Sequence, residues 1–202
     1  MKGLEIDQAL EYQNGIARDY TNLGSVYAKQ GALQRAEEMF LKGLEIDEAS
    51  ENQEGMASRT VNLANFYLEQ GNLQRAEAMF LKSLEIDEAL ENQAGMSNKY
   101  SSLGTLYLNQ GNEARAEEMF INGLEIDEAL ENQEGIINHS VNLGVVYARH
   151  GNRQEAVEMF LTVLEIEVEQ TVNRPSKTYN MNADQHRELQ RVLMCSEMKI
   201  KR

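Results

Sequence analysis

Residues 20–27 read Tyr-Thr-Asn-Leu-Gly-Ser-Val-Tyr, and residues 36–40 read Ala-Glu-Glu-Met-Phe. The pattern of leucine, small residue and tyrosine, followed by alanine and phenylalanine, returns three times at a spacing of 40 residues. The later copies are Leu63-Ala64-x-x-Tyr67 with Ala76 and Phe80, Leu103-Gly104-x-x-Tyr107 with Ala116 and Phe120, and Leu143-Gly144-x-x-Tyr147 with Ala156 and Phe160. A constant period is expected when each unit packs only on its neighbours, because every unit must then present the same surfaces. The sequence therefore predicts an array of stacked repeats.

Each unit is predicted to contain two helices. In the first unit they span about residues 16–30 and 33–51, and Leu23 and Tyr27 share one face of the first helix. The connections between helices are short, which favours antiparallel neighbours. The predicted buried stripe of the second helix comprises Ala36, Met39, Phe40, Gly43, Ile46 and Ala49 or its neighbour.

Glycines and asparagines mark the predicted turns. A glycine just after a helix can adopt the left-handed conformation that satisfies the last carbonyl groups. The glycines predicted to end the first helices are Gly31, Gly71, Gly111 and Gly151. Asparagine is a good N-cap, and the second helices are predicted to start at Asn72, Asn112 and Asn152, with the poorer cap Ala32 in the first unit. The glycines predicted to close each unit and turn the chain into the next helix are Gly15, Gly55, Gly95 and Gly135.

The four copies in register closely resemble the signature of the tetratricopeptide repeat. The usual unit of that family has about 34 residues, whereas the unit here has 40. Glu48 stands near the place where a proline commonly ends the second helix. The chain is therefore similar to the long-repeat branch of the family, which includes kinesin light chains and many bacterial proteins. The resemblance implies an all-α fold, a right-handed α-α superhelix of antiparallel helix pairs, and a non-catalytic role in binding proteins or peptides.

The composition restricts the classes of function. The formal net charge is -14, so nucleic acid and membranes are not expected as partners, because phosphate backbones and anionic lipids repel an acidic chain. A single cysteine, Cys195, and an N-terminus without a signal-peptide pattern favour a cytoplasmic location. The sequence holds no phosphate-binding loop, nucleophile elbow or metal-ligand spacing, and we therefore expect no cofactor, no metal and no enzymatic activity.

The repeat frame predicts three segments. A half-unit helix is expected at residues 1–14, four units at 15–54, 55–94, 95–134 and 135–168, and a non-repeat segment at 169–202. The half unit is consistent with a fragment of a longer array, with an end cap, or with a homodimer formed through this end. The segment 169–202 has seven Lys or Arg and four Asp or Glu, a net charge of +3. It is predicted to form a capping helix, with a mobile tail or a helix that occupies the groove as alternatives.

A polar stripe on the first helices is the predicted binding surface. In the family that the chain resembles, the first helices line the concave side, so the groove residues are those opposite the Leu-Gly-Tyr face. The candidates are Arg18, Asn22, Ser25, Lys29, Ser58, Asn62, Asn65, Glu69, Asn98, Ser102, Thr105, Asn109, Asn138, Asn142 and Arg149. Asparagine amides both donate and accept hydrogen bonds and suit the backbone of an extended peptide. The alternative is that these asparagines support helix packing or face water.

Two hypotheses for the function remain open at this point. The first is a scaffold that binds an extended peptide or partner segment in the groove. The second is a structural or regulatory fragment of a larger repeat-containing signalling or assembly protein. The recurring carboxylates, among them Glu45, Asp47, Glu48 and Glu51, are expected to cover the outer face. The cations Arg18, Lys29 and Arg149 in the groove would favour an acidic ligand, and the alternative is that they are scattered surface charges.

Overall fold

The structure is a computed structural model that describes residues 12–173. Within this range the chain forms eight α-helices and no strand. The helices are α1 (Gln13–Lys29), α2 (Leu33–Ala49), α3 (Gln53–Glu69), α4 (Leu73–Ala89), α5 (Gln93–Asn109), α6 (Glu113–Ala129), α7 (Gln133–His150) and α8 (Arg153–Asn173). Residues 1–11 of the predicted half unit (1–14) and residues 174–202 of the predicted non-repeat segment (169–202), with its expected capping helix, lie outside the described residues.

The helices pack in the order in which they follow along the chain. Each odd-numbered helix from α1 to α5 packs against the helix after it, α2, α4 and α6 pack against the first helix of the next unit, and α1·α3 and α5·α7 also touch. The predicted architecture, an all-α array of helix pairs, is therefore confirmed. Such an arrangement keeps every contact local, so that a unit depends on its immediate neighbours.

The repeated alanine, phenylalanine and leucine form the core. Ala76 and Ala116 are fully buried, and Phe80 and Phe120 are 1% and 0% exposed. A small residue lies opposite Phe120, since a Cβ atom added to Gly104 would lie 2.5 Å from the ring. The alternation of large and small side chains that the sequence predicts is thus what brings paired helices together.

The buried stripe of the second helix differs from the predicted one at its C-terminal end. Ala36, Phe40 and Gly43 are buried as predicted, but Ala49 is exposed and Asp47 is buried. The expectation that Asp47 covers the outer face is therefore wrong. The helix ends at Ala49, and the residue that faces the following unit is the carboxylate two positions before that end.

The turns within units agree with the prediction. The four glycines that follow the first helices, Gly31, Gly71, Gly111 and Gly151, have φ between 71° and 80°. The Asn72 side chain accepts a hydrogen bond from the Arg75 backbone N–H at 3.2 Å, and Asn112 caps α6 in the same way. Ala32 provides no side-chain cap.

The turns between units were predicted incorrectly. The left-handed residues there are Glu51, Glu91 and Glu131, each with φ of 53°, whereas Gly55 lies inside the first turn of α3. Glutamate can adopt this conformation at a cost of about 1–2 kcal/mol. Gly55 is required for space, because a Cβ atom there would collide with the Asn52 amide and the Asp47 carboxylate.

Asparagine caps also start the first helices of later units, a feature that the sequence reading did not assign. Asn52 and Asn92 accept a hydrogen bond from the N–H of the glycine three residues on, at 3.1 Å. Each amide also donates to the buried aspartate that precedes it, at 2.8 Å for Asp47 and 2.7 Å for Asp87. One asparagine therefore caps a helix and fixes a buried carboxylate at once.

Substitution of Asn92 by alanine is expected to destabilise the protein more than the same substitution at Asn72. Asn72→Ala removes one cap and is expected to lower the free energy of unfolding by about 1 kcal/mol. Asn92→Ala also removes a hydrogen bond to buried Asp87, and we expect a loss of about 2–3 kcal/mol. Urea denaturation of the two variants measures the difference, and equal losses would contradict the double role of Asn92.

Candidate interaction surface and unit junctions

The predicted groove residues lie together on the solvent side of the first helices. We call these positions on α1, α3, α5 and α7 the first-helix wall; its residues are Arg18, Asn22, Ser25, Lys29, Ser58, Asn62, Asn65, Glu69, Asn98, Ser102, Thr105, Asn109, Asn138, Asn142 and Arg149. Most are exposed and Asn62, Ser102 and Asn142 are half-buried. They recur at three- or four-residue spacing on α1, α3 and α5 and at spacings of four and seven on α7, which places them on one face of each helix.

Hydrogen bonds orient part of the first-helix wall. The Asn142 amide donates to both the backbone oxygen and Oδ1 of Asn138 at 3.0 Å. The Asn138 amide donates in turn to the Ser101 hydroxyl on α5 at 3.4 Å. These bonds fix the direction of the Asn142 side chain and leave its Oδ1 as the atom presented to an incoming N–H group.

A cavity of about 320 Å³ opens on the wall between the first two units. Its lining residues are Ser25, Ala28, Lys29, Phe40, Asn62, Asn65, Phe66 and Glu69. The rings of Phe40 and Phe66, with centroids 5.3 Å apart, supply aromatic surface beneath a polar rim. Five of the predicted wall residues therefore meet at one concave place.

The three cations of the wall differ in their surroundings. Arg149 lies 3.6 Å from the Glu113 carboxylate on α6, so part of its charge is already compensated. Arg18 lies 4.0 Å from Asp19. Lys29 is exposed and lines the cavity. Of the three, Lys29 is the best placed to meet an acidic group of a ligand.

The junctions between units contain buried carboxylates, each paired with a side chain of the next unit, and these contacts were not predicted from the sequence. Asp47 and Asp127 have no exposed surface and Asp87 is 2% exposed. Each carboxylate faces a lysine, arginine or histidine side chain that follows it by twelve residues and belongs to the next unit. The pairs are Asp47 with Arg59 at 3.2 Å, Asp87 with Lys99 at 3.1 Å and Asp127 with His139 at 3.3 Å. A buried carboxylate is costly unless it is paired, so the partner is required for the units to pack.

A second contact joins neighbouring units at the surface. The Tyr67 hydroxyl donates to Glu37 of the preceding unit at 2.8 Å, and Arg75 lies 2.7 Å from the same carboxylate. Tyr107, Glu77 and Arg115 repeat this arrangement. Burial and the neighbouring Glu37 raise the pKa of Tyr67, which therefore stays a hydrogen-bond donor at neutral pH.

The last junction brings a serine, a histidine and an aspartate together. The Ser97 hydroxyl donates to Asp127 Oδ2 at 2.6 Å, and His139 Nε2 lies 3.2 Å from Ser97 Oγ and 3.3 Å from Asp127 Oδ2. In a catalytic triad the acid and the nucleophile occupy opposite nitrogens of the ring. Here both face Nε2, and the three residues are at most 2% exposed. This trio is arranged as a packing contact rather than as a nucleophile with its base.

The ring of His139 fits a space that the sequence provides. A Cβ atom on Gly123 would collide with the ring, and Phe120 lies beside it with ring centroids 6.1 Å apart. Nδ1 is buried without a hydrogen-bond partner among the described residues. We therefore assign the neutral tautomer with the proton on Nε2, because a proton on Nδ1 would be left unpaired.

No helix within residues 12–173 combines the length and the apolar character needed to cross a membrane. The same stretch contains no group of three or more His, Cys, Asp or Glu side chains placed to hold a metal ion.

Comparison with known proteins identifies the class of this fold. Stacked helix pairs with a leucine–glycine–tyrosine core define a helical-repeat scaffold. Models described as tetratricopeptide repeat match residues 55–120 and 95–166, and a further tetratricopeptide-repeat model matches residues 17–50. The chain belongs to the tetratricopeptide repeat family. Repeats of this family generally mediate protein–protein interactions.

Solved structures share the fold at low sequence identity. BtubC (BKLC) from P. vanneervenii superposes with a TM-score of 0.69 at 23% identity, over 84% of this chain and 68% of that protein. A signal transduction ATPase with numerous domains and a tetratricopeptide repeat sensor, from Pyrococcus horikoshii, gives 0.71 at 18% identity, over 81% of this chain and 26% of its own. The apo form of RapI gives 0.69 at 20% identity, over 79% of this chain and 45% of its own. No match was found among curated protein sequences.

The stability of the last junction is expected to fall as the pH decreases below about 6.5. Burial lowers the pKa of His139 from its usual 6.5, and the effect of Asp127, which raises it, is smaller. Ser97 and Asp127 are the polar groups that face the ring from α5 and α6. Between the unfolded pKa of about 6.5 and the lower folded pKa, the unfolded chain binds a proton that the folded chain does not, so acid favours unfolding.

His139→Asn is the variant that tests this dependence. Asparagine keeps a polar side chain but cannot titrate, so urea midpoints of the variant should change less than those of the wild type between pH 7.5 and 5.5, values that bracket the histidine pKa of about 6.5. Carboxylates contribute to both proteins in the same way, and the difference between the two curves isolates His139. Parallel curves would show that His139 does not carry the effect.

Proposed function

We propose that the chain is a non-catalytic scaffold that binds an extended peptide or partner segment along the first-helix wall. The observation that carries the proposal is the division of each first helix into two faces. Leu63 and Leu103 are 1% and 0% exposed on the packed face, whereas Asn65 and Thr105, two residues further on, are exposed. A wall that takes no part in the core is available to a partner.

The chemistry of the wall suits a backbone more than a particular side chain. Asn22, Asn62 and Asn142 recur at one position of the repeat, and Ser102 replaces asparagine in the third unit. Amides along a groove can pair with the N–H and C=O groups of an extended chain. In the family, long-repeat members use asparagines before the Leu-Gly pair in this way, which supports the assignment.

The charge of the wall favours a partner with an acidic group near the first two units. Arg18 and Lys29 are exposed on α1 in a chain of net charge -14. Lys29 borders the cavity whose floor contains Phe40 and Phe66. A carboxylate close to Lys29 would form a charge-assisted contact, which is stronger than a neutral hydrogen bond.

A second candidate function is a structural or regulatory segment of a larger signalling or assembly protein. The chain spans only 26% of the signal transduction ATPase and 45% of RapI. Arrays of this kind are thus built into longer chains. In this alternative the array positions a domain encoded elsewhere, and the wall would bind part of that protein.

Changing Asn62 and Asn142 together to alanine tests the first proposal. A phage-displayed library of random peptides selected on the wild-type chain supplies the ligand. We expect the double variant to bind the selected peptide about tenfold more weakly, as the loss of two hydrogen bonds of about 0.7 kcal/mol each requires. Fluorescence anisotropy gives the dissociation constants, and circular dichroism should show unchanged helix content.

Asn122→Ala is the matched control, because Asn122 is an asparagine of a second helix and lies off the wall. It is expected to leave affinity unchanged. A library that yields no binder contradicts the proposal, and so does a selected peptide that binds the Asn62/Asn142 variant as tightly as the wild type.

A further inference from the structure

A second cavity lies on the side of the second helices, where the first unit meets the second. Its volume is about 440 Å³, and we call it the second-helix cleft. Its lining residues are Glu48, Glu51, Gln53, Met56, Lys82, Glu85, Ile86 and Ala89. None of these belongs to the first-helix wall. A partner in this cleft would leave the wall available.

The floor of the cleft is apolar. Met56 and Ile86 are half-buried and Ala89 is exposed, so the described chain leaves part of their surface in contact with water. Leu90, the next residue, is 37% exposed. Burying apolar surface of this kind is the main source of affinity in protein association.

The rim of the cleft is negatively charged. Glu48, Glu51 and Glu85 are exposed, and the single lining cation, Lys82, lies 2.6 Å from Glu48. Within residues 12–173 no ion pair is formed by Glu51 or Glu85. Two carboxylates therefore flank the apolar floor without an ion-pair partner among the described residues.

The next junction repeats the floor and rim residues of the cleft in the sequence. Forty residues later the rim positions are Glu88, Glu91 and Glu125 and the floor positions are Met96, Ile126 and Ala129. The position of Lys82 holds Asn122, so the second copy has one cation fewer. Met96 and Ile126 are half-buried, as their counterparts are.

We propose that the second-helix cleft docks a cationic amphipathic segment of a partner protein. An apolar side chain of that segment rests on Met56 and Ile86, and lysine or arginine side chains on either side reach Glu51 and Glu85. Charge complementarity selects this occupant, since an acidic or neutral segment would leave both carboxylates desolvated and unpaired. The site is independent of peptide binding on the first-helix wall.

Two fluorescent peptides of identical composition serve as the probe. One places leucines on one face of a helix and lysines on the other, and its isomer has the same residues in an order without a face. We expect the amphipathic peptide to bind at least about fivefold more tightly than the isomer by anisotropy. If the two peptides bound equally well, binding would depend only on the net charge of the peptide, and the proposal would be overturned.

Variants of the cleft separate the floor from the rim. Ile86→Asn together with Ile126→Asn removes apolar surface at both junctions, and Glu51→Gln together with Glu85→Gln removes charge. Each pair is expected to weaken binding at least about fivefold. Lys82→Asn gives the first cleft the composition of the second and is expected to strengthen binding about twofold, because Glu48 is then released.

The control neutralises two exposed glutamates outside the cleft, Glu155→Gln with Glu158→Gln. A loss equal to that of the Glu51/Glu85 variant would overturn the proposal. The Asn62/Asn142 variant should bind the amphipathic peptide normally, which separates the cleft from the wall. If sedimentation shows self-association that the Ile86/Ile126 variant abolishes, the occupant is a second copy of this chain and the proposal is wrong.

Discussion

The array depends on a buried carboxylate near the end of α2, α4 and α6 that must be paired by the following unit. Asp47, Asp87 and Asp127 are buried, and each is also held by the asparagine five residues later. A carboxylate in such a place is stable only with its partners in position, so the contact specifies both register and orientation. The glycine at the start of the next helix (Gly55, Gly95 or Gly135) belongs to the same arrangement, because a Cβ atom there would collide with the carboxylate.

This constraint explains how the molecule divides its surfaces. Because the core and the junction carboxylates hold the units together, the first-helix wall does not have to contribute to packing. It carries asparagine, serine and a few charges, while glutamates surround the apolar floor of the second-helix cleft. One repeat thus produces two different surfaces, a polar wall and an acidic cleft, and the family's general role in protein–protein interaction is consistent with both.

The sequence predicted the fold because the repeated residues are those of the core. Leu63, Phe80 and Ala76 recur at a fixed spacing, and helical periodicity then assigns their face. Asp47 was misplaced because a carboxylate in a charged run is normally solvated. The partners of the three buried aspartates could not be predicted from the repeat, because the residue at that position differs in each unit: Arg59, Lys99 and His139. The positions of the first-helix wall could be predicted from helix geometry. The cavity between α1 and α3 could not, because it depends on the distance and angle between two helices, which the sequence does not specify.

A double-mutant cycle on Asp47 and Arg59 tests the central claim most directly. The single changes Asp47→Asn and Arg59→Met and their combination would be compared by urea denaturation with the cycle for Glu48 and Lys82, an exposed pair near the same junction. The account predicts a coupling of about 2 kcal/mol or more for the buried pair and of less than about 1 kcal/mol for the exposed one. Couplings of equal size would show that the junction carboxylate is not what joins the units.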